Sequence, residues 1–117
     1  MAGLSTHILD TSIGKPAANV LIELFAQDQP TPVKSCTTNA DGRTDAPLIA
    51  AGELIEGTYE LRFHAGDYFR ATQNQTGNET VPFLDVVVIR FGIGHKNQHY
   101  HVPLLLSPYG YSTYRGS

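Results

Sequence analysis

Apolar and polar side chains alternate at every second residue through most of this chain, and that period constrains the fold more than any other feature. From Thr58 to Ala65, Tyr59, Leu61, Phe63 and Ala65 fall on one side and Thr58, Glu60, Arg62 and His64 on the other. Successive side chains of a strand point to opposite faces, so this pattern describes a strand with one face buried. Val20, Ile22, Leu24 and Ala26 alternate in the same way with Asn19, Leu21, Glu23 and Phe25, with some apolar character on both faces. Leu84 to Ile93 and Gln98 to Leu106 add two more strands, and Leu4 to Asp10, Val33 to Asn39 and Gly110 to Arg115 add shorter ones. Turn chemistry punctuates them at Ile13-Gly14-Lys15-Pro16, Gln29-Pro30-Thr31-Pro32, Asn39-Ala40-Asp41-Gly42, Phe91-Gly92-Ile93-Gly94 and Ser107-Pro108-Tyr109-Gly110. Only the stretch from about Asp67 to Gln73 suits a helix, a short one. Many short strands separated by turns imply an all-β chain folded as an antiparallel sandwich.

The chain is long enough to bury such a core. Its 117 residues fit one domain, residues 1–117, and 41% hydrophobic with 16% charged residues is not the composition of a disordered chain. A net charge of −3 gives no support to nucleic-acid binding, which calls for a basic patch. The longest apolar runs, such as Val86 to Ile89 and Val102 to Leu106, are far too short to span a bilayer. Cys36 is the only cysteine, so no internal disulfide can form, and a lone thiol suits a reducing compartment. Met1-Ala2-Gly3 runs straight into the alternating pattern with no signal peptide, and the last residues are not a peroxisomal Ser-Lys-Leu. The expected compartment is the cytoplasm, or the periplasm if a signal has been removed. Asn74-Gln75-Thr76 and Asn78-Glu79-Thr80 match the glycosylation pattern, which matters only in a secreted eukaryotic protein, and are read as chance.

Against this background a few residues carry chemistry. Alternation through Leu4-Ser5-Thr6-His7-Ile8-Leu9-Asp10 puts Leu4, Thr6 and Ile8 on the core face, and Ser5, His7 and Leu9 on the other. In His99-Tyr100-His101-Val102-Pro103, Tyr100 and Val102 share the core face and the two histidines share the outer one. Pro103 lacks an N–H and suits an edge or a bulge. Neutral imidazoles move protons near neutral pH. Two histidines at i and i+2 also project side by side as metal ligands would, but no Cys or carboxylate sits at nearby ligand spacing. Arg43 leaves the Asn39–Gly42 turn with a planar fork that matches carboxylates and urea-like edges. The chain ends in Tyr114-Arg115-Gly116-Ser117, dense with aromatic, charged and hydroxyl groups where a tail is usually ragged and polar.

These segments together resemble the transthyretin-related family of 5-hydroxyisourate hydrolases. The likeness is carried by Leu4 to Asp10, Asp41-Gly42-Arg43, His99 to Pro108 and, most specifically, Tyr114 to Ser117, and it runs from end to end. Transthyretin shares the Leu-Leu-Ser-Pro-Tyr and Tyr-Ser-Thr patterns but lacks the terminal tetrapeptide and the paired histidines. The resemblance implies two four-stranded sheets with one short helix, and a homotetramer, a dimer of dimers with active sites in the channel between them. It also implies a catalytic set of His7, Arg43, His101 and Ser117, with His7, Arg43 and Tyr114 binding the substrate. Strict alternation puts Tyr114 and Ser117 on opposite faces, a conflict that a bend at Gly116 would relieve.

The expected reaction is hydrolytic opening of 5-hydroxyisourate to 2-oxo-4-hydroxy-4-carboxy-5-ureidoimidazoline. His7 and His101 would activate water and return the proton, and Arg43 would hold the substrate edge. Ser117 would supply a hydroxyl, and its free carboxylate would orient a neighbouring imidazole or Arg115. No metal and no cofactor is expected, and the partner is a small purine-derived molecule. Two other readings compete: a non-catalytic transthyretin-like carrier of a small ligand, and a metal-binding protein using His7, His99 and His101.

Overall fold

Leu4–Asp10 forms the first strand, β1, and its burial alternates without a break: Leu4, Thr6, Ile8 and Asp10 lie inside, and Ser5, His7 and Leu9 are half-buried. The computed structural model describes residues 3–72 and 81–116. After β1 come β2 (Lys15–Pro16), β3 (Leu21–Ala26), β4 (Lys34–Thr37), β5 (Gly57–His64), α1 (Ala65–Thr72), β6 (Val86–Ile93), β7 (Tyr100–Ser107) and β8 (Gly110–Thr113). The strands form two four-stranded sheets, ordered β2-β1-β7-β8 and β4-β3-β5-β6. This is the expected architecture, down to the single short helix among the described residues.

The inner faces of both sheets supply one core. Leu4, Ile8, Ile22, Leu24, Leu61, Phe63, Leu104 and Leu106 are all fully buried in it. Each such side chain contributes about 1.5–3 kcal/mol relative to an exposed one, so the alternating pattern is itself the main folding signal. Among the described residues one carboxyl group is buried with them. The Asp10 carboxylate is fully buried, accepts from Tyr68 Oη at 2.7 Å, and accepts the Ser12 backbone N–H at 3.0 Å. Burial and the hydrogen bond to Asp10 push the Tyr68 phenol well above its ordinary range, so it stays a donor. This bond ties β1 to α1, which buries Ala65, Tyr68 and Phe69 at helical spacing.

Four details differ from the sequence reading. The helix starts at Ala65, straight out of β5 with no loop between them, and Gly66 N–H donates to Asp85 O at 2.8 Å. Its far end is Thr72; Gln73, where the expected helix stopped, lies outside the described residues, as do the two glycosylation-like motifs. Lys15–Pro16, read as turn, is a two-residue strand that exists only because it pairs with Leu9 and Asp10. Pairing is antiparallel throughout except between β1 and β7, which run parallel with Leu4 beside Tyr100 and Asp10 beside Leu106. Alternation decides which face a strand buries and says nothing about the direction of its neighbour.

Pro103 therefore stands in a central strand rather than at an edge. In a parallel pair only alternate residues of a strand bond to a given neighbour. Tyr100 N–H donates to Gly3 O at 2.8 Å, so the even-numbered residues of β7 face β1 and Pro103 faces β8. There the ladder ends at Leu104 opposite Thr113, and the Pro103 carbonyl accepts Thr113 Oγ1–H at 2.7 Å. The missing N–H falls where no rung is needed.

Candidate active site

Beyond the two rungs of β2, the outer edge of β1 has no full-length partner strand. Separate loop segments cover it instead. Leu4 exchanges backbone bonds with Leu48 and Ile49, and Ile8 N–H donates to Gly42 O at 2.8 Å. His7 forms an isolated antiparallel bridge with Arg43. The turn that makes this contact is held by one side chain. Asn39 Oδ1 accepts the backbone N–H of Asp41 at 2.9 Å and of Arg43 at 3.2 Å, while its amide donates to Asp45 at 3.0 Å. Gly42 has φ of 73°, and a Cβ there would sit 2.3 Å from the Ile8 carbonyl oxygen, so only glycine lets the turn dock this closely. Arg43 thus reaches the site by docking against β1.

The same turn orients His7. Its Nε2 lies 2.9 Å from the Asp41 carbonyl oxygen. A carbonyl only accepts, so Nε2 carries the proton, and in the neutral ring Nδ1 keeps a free lone pair. His101 stands on β7, the strand beside β1, with its backbone opposite Ser5. Both histidines are on the outer face of their sheet and half-buried, as alternation predicts. Strand spacing and rise put their Cα atoms about 8 Å apart. Burial first, and then the charges of Arg43, His7 and His99, hold the His101 imidazole below its ordinary pKa. His101 is consequently a neutral ring near pH 7, within the electrostatic reach of Arg43, His7 and His99.

Sequence reasoning gave no role to Ser5, which lies between the two β7-side histidines. Its Oγ is 2.8 Å from His101 Nδ1 and 3.1 Å from His99 Nε2. The signal was present, since Ser5 shares the outer face with His7, but nothing in the sequence reveals that β7 lies alongside. Asn39 was visible only as a turn residue.

The tail behaves as a strap. Gly116 N–H donates to His101 O at 2.7 Å and the two residues form an isolated bridge. Arg115 stacks its guanidinium 4.0 Å from the Tyr100 ring centroid and donates to His99 O at 3.1 Å and to Gln98 at 3.0 Å. Tyr114 is exposed, and lines a cleft of about 260 Å³ with Ile89, Phe91, Tyr100 and Val102; His7, Arg43 and His101 do not line that cleft. Ser117 lies outside the described residues.

Other features sit apart from this cluster. A cavity of about 490 Å³ is lined by Ala26, Leu48, Ile49 and Tyr59 among others and does not reach the histidines. Cys36 is half-buried on β4, and its thiol is pushed up by burial, which makes it a poor nucleophile. Among the described residues no three His, Cys, Asp or Glu side chains converge as a metal-binding group. No described helix is long and apolar enough to cross a membrane.

Comparison with known proteins places the chain among relatives of the same fold. Residues 4–116 match the HIUase/Transthyretin family. The chain is 55% identical over 117 residues to the 5-hydroxyisourate hydrolase of Deinococcus radiodurans, covering 98% of this chain and 96% of that one. Among solved structures it superposes on Klebsiella pneumoniae 5-hydroxyisourate hydrolase with a TM-score of 0.82 at 37% identity, over the full length of both. It also superposes on (S)-allantoin synthase with a TM-score of 0.88 at 42% identity, spanning 98% of this chain but only 43% of that one. A match that runs from β1 through the Gly116 strap takes in the whole fold, and the chain belongs to the HIUase/Transthyretin family.

Proposed function

We propose that this chain hydrolyses 5-hydroxyisourate, opening the six-membered ring at a lactam C–N bond to give 2-oxo-4-hydroxy-4-carboxy-5-ureidoimidazoline. One observation carries the reading: two half-buried histidines on adjacent strands share a neighbourhood with an arginine that a dedicated turn docks beside them. Water adds to the lactam carbonyl, the C–N bond breaks, and the freed nitrogen takes up a proton. Such a step needs a base for the water, a cation near the developing oxyanion and a donor for the nitrogen. His7 and His101 handle the protons, and Arg43 holds the substrate edge and offsets the negative charge. Tyr114 adds to the substrate pocket, and Ser117, one residue beyond the Gly116 contact with His101, contributes its hydroxyl. No metal or cofactor enters this scheme.

The working form is a homotetramer in the cytoplasm, with sites in the channel between dimers. In its favour, β6 and β8 are edge strands with exposed apolar side chains, Val86 and Val88 on one and Tyr111 on the other. Such edges call for cover.

The test is the decay of freshly generated 5-hydroxyisourate, followed spectrophotometrically with and without the protein, beside gel filtration with light scattering. Saturable acceleration by a tetramer is expected. Binding without acceleration would make the chain a carrier and overturn the assignment, and an active monomer would overturn the location of the sites.

A further inference from the structure

Ser5 raises a question that the hydrolytic reading leaves open. Its hydroxyl has one proton, and it lies within hydrogen-bonding distance of two imidazole nitrogens, His101 Nδ1 at 2.8 Å and His99 Nε2 at 3.1 Å. Its two lone pairs could accept from both rings, but its own proton would then have no acceptor among the described residues, so the hydroxyl donates to one ring and accepts from the other. The direction of the chain decides which nitrogen of His101 carries its proton.

The far side of His99 settles the direction. Its Nδ1 is buried with no hydrogen-bond partner among the described residues. If Ser5 donated to His99 Nε2, the neutral ring would carry its proton on Nδ1 and bury an unpaired N–H. Buried orphan donors are the rarer and less tolerated kind, whereas an acceptor without a partner is met more often. A doubly protonated His99 would bury the same orphan donor and place a second positive charge beside Arg115, which already donates to the His99 carbonyl at 3.1 Å. The consistent arrangement therefore runs from His99 Nε2–H to Ser5 Oγ, and from Ser5 Oγ–H to His101 Nδ1. Neutral His101 then holds its proton on Nε2, where it has no hydrogen bond among the described residues.

We propose that Ser5 is a positioning residue which, anchored by His99, locks His101 as the Nε2–H tautomer and so makes it the hydrogen-bond donor of the site. The two histidines are thereby set in opposite senses. His7, whose Nε2–H is committed to the Asp41 carbonyl, presents a bare Nδ1 as the base for water. His101 presents an N–H that hydrogen-bonds the departing lactam nitrogen, which takes its proton from the imidazolium that His7 becomes on deprotonating the water. This division of labour rests on the hydrolytic reading above; the tautomer itself does not.

Long-range proton–nitrogen NMR on protein labelled with ¹⁵N-histidine separates the two questions, because it reads protonated and bare ring nitrogens without substrate. The unliganded protein should show His101 with a bare Nδ1 and a protonated Nε2. Ser5→Ala should mix the two tautomers and lower kcat by about 10- to 100-fold with KM little changed, the scale of one misplaced catalytic group. Ser5→Thr keeps the hydroxyl and should restore both tautomer and turnover. A wild-type His101 carrying its proton on Nδ1 overturns the proposal, as does a Ser5→Ala protein with unchanged tautomer and kcat. If Ser5→Ala does not fold, the wild-type spectrum and the Ser5→Thr protein still decide. A wild-type protein with the stated tautomer but no hydrolysis would refute the reaction and leave the Ser5 lock standing.

Discussion

Gly116 lies flat against His101. Its N–H donates to the His101 carbonyl at 2.7 Å, and a Cβ on Gly116 would sit 2.8 Å from His101 Cδ2 and 3.3 Å from its Cβ and Cγ. The imidazole edge fills the space that any other residue would need. Gly116→Ala should therefore push the ring or the strap aside while leaving the core untouched. Misplacement of a catalytic group by an ångström is worth about 100-fold, so a loss of roughly 10- to 100-fold in kcat with a nearly unchanged melting temperature is expected. Wild-type turnover from this variant would show that the contact does not position the ring.

His7→Asn and His101→Asn should each lower turnover by about 10²–10⁴, the usual worth of a positioned acid or base. Both side chains are half-buried on the outer face of the sheet, so circular dichroism and thermal melting should change little. Wild-type turnover from either variant would remove that residue from the mechanism, and a failure to fold would contradict its placement off the core.

Arg43→Lys preserves the charge and loses the planar fork. The lysine protein should remain badly impaired, because a clamp on a urea-like edge needs two parallel donors. Steady-state kinetics on the two proteins side by side decide the matter: free exchange of Lys for Arg would reduce Arg43 to a diffuse positive charge.

Tyr68→Phe tests the core. It leaves the Asp10 carboxylate without its 2.7 Å donor in a fully buried position. Leaving one buried acceptor short costs about 1–3 kcal/mol, more for a charged one. Urea denaturation should show a loss of at least that size.

The depressed pKa of His101 links stability to pH. The folded state binds a proton at this site less readily than the unfolded chain, whose imidazole titrates near pH ~6.5. Above that value both states are neutral and nothing is lost. As pH falls through it toward the folded pKa, the unfolded state takes up more protons and stability declines. Melting temperatures between about pH 5 and pH 8 should show this slope in the wild type and a shallower one in His101→Asn.

The sequence was most legible where one strand's own pattern decides the outcome. Tyr59, Leu61 and Phe63 are inside and Glu60, Arg62 and His64 are half-buried, as their spacing requires. The outward turn of His7 and His101 follows from the same rule. Features that depend on a distant partner were not legible. Lys15 and Pro16 have no periodicity of their own, and only β1 makes them a strand. Pro103 reads as an edge residue until the end of the β8 ladder is known. Ser5 looks like an ordinary surface serine until the parallel register sets His101 opposite it. Arg43 could be read as a turn residue, but its docking beside His7 depends on Gly42 meeting Ile8, a contact between separate parts of the chain.

The parallel pairing of β1 with β7 also bears on how an active molecule comes into being. Ser5 and His101, like Thr6 and Val102, are ninety-six residues apart in the chain. The other sheet, by contrast, draws its four strands from the intervening segment, Leu21 to Ile93. Contacts of such long sequence separation form slowly, because a large loop must close before they reward it. During synthesis β1 must wait, with an apolar face and an open edge, until β7 has been made. His7 and His101 come from the two sides of that closure, so catalytic competence should appear late in refolding, after the second sheet has formed.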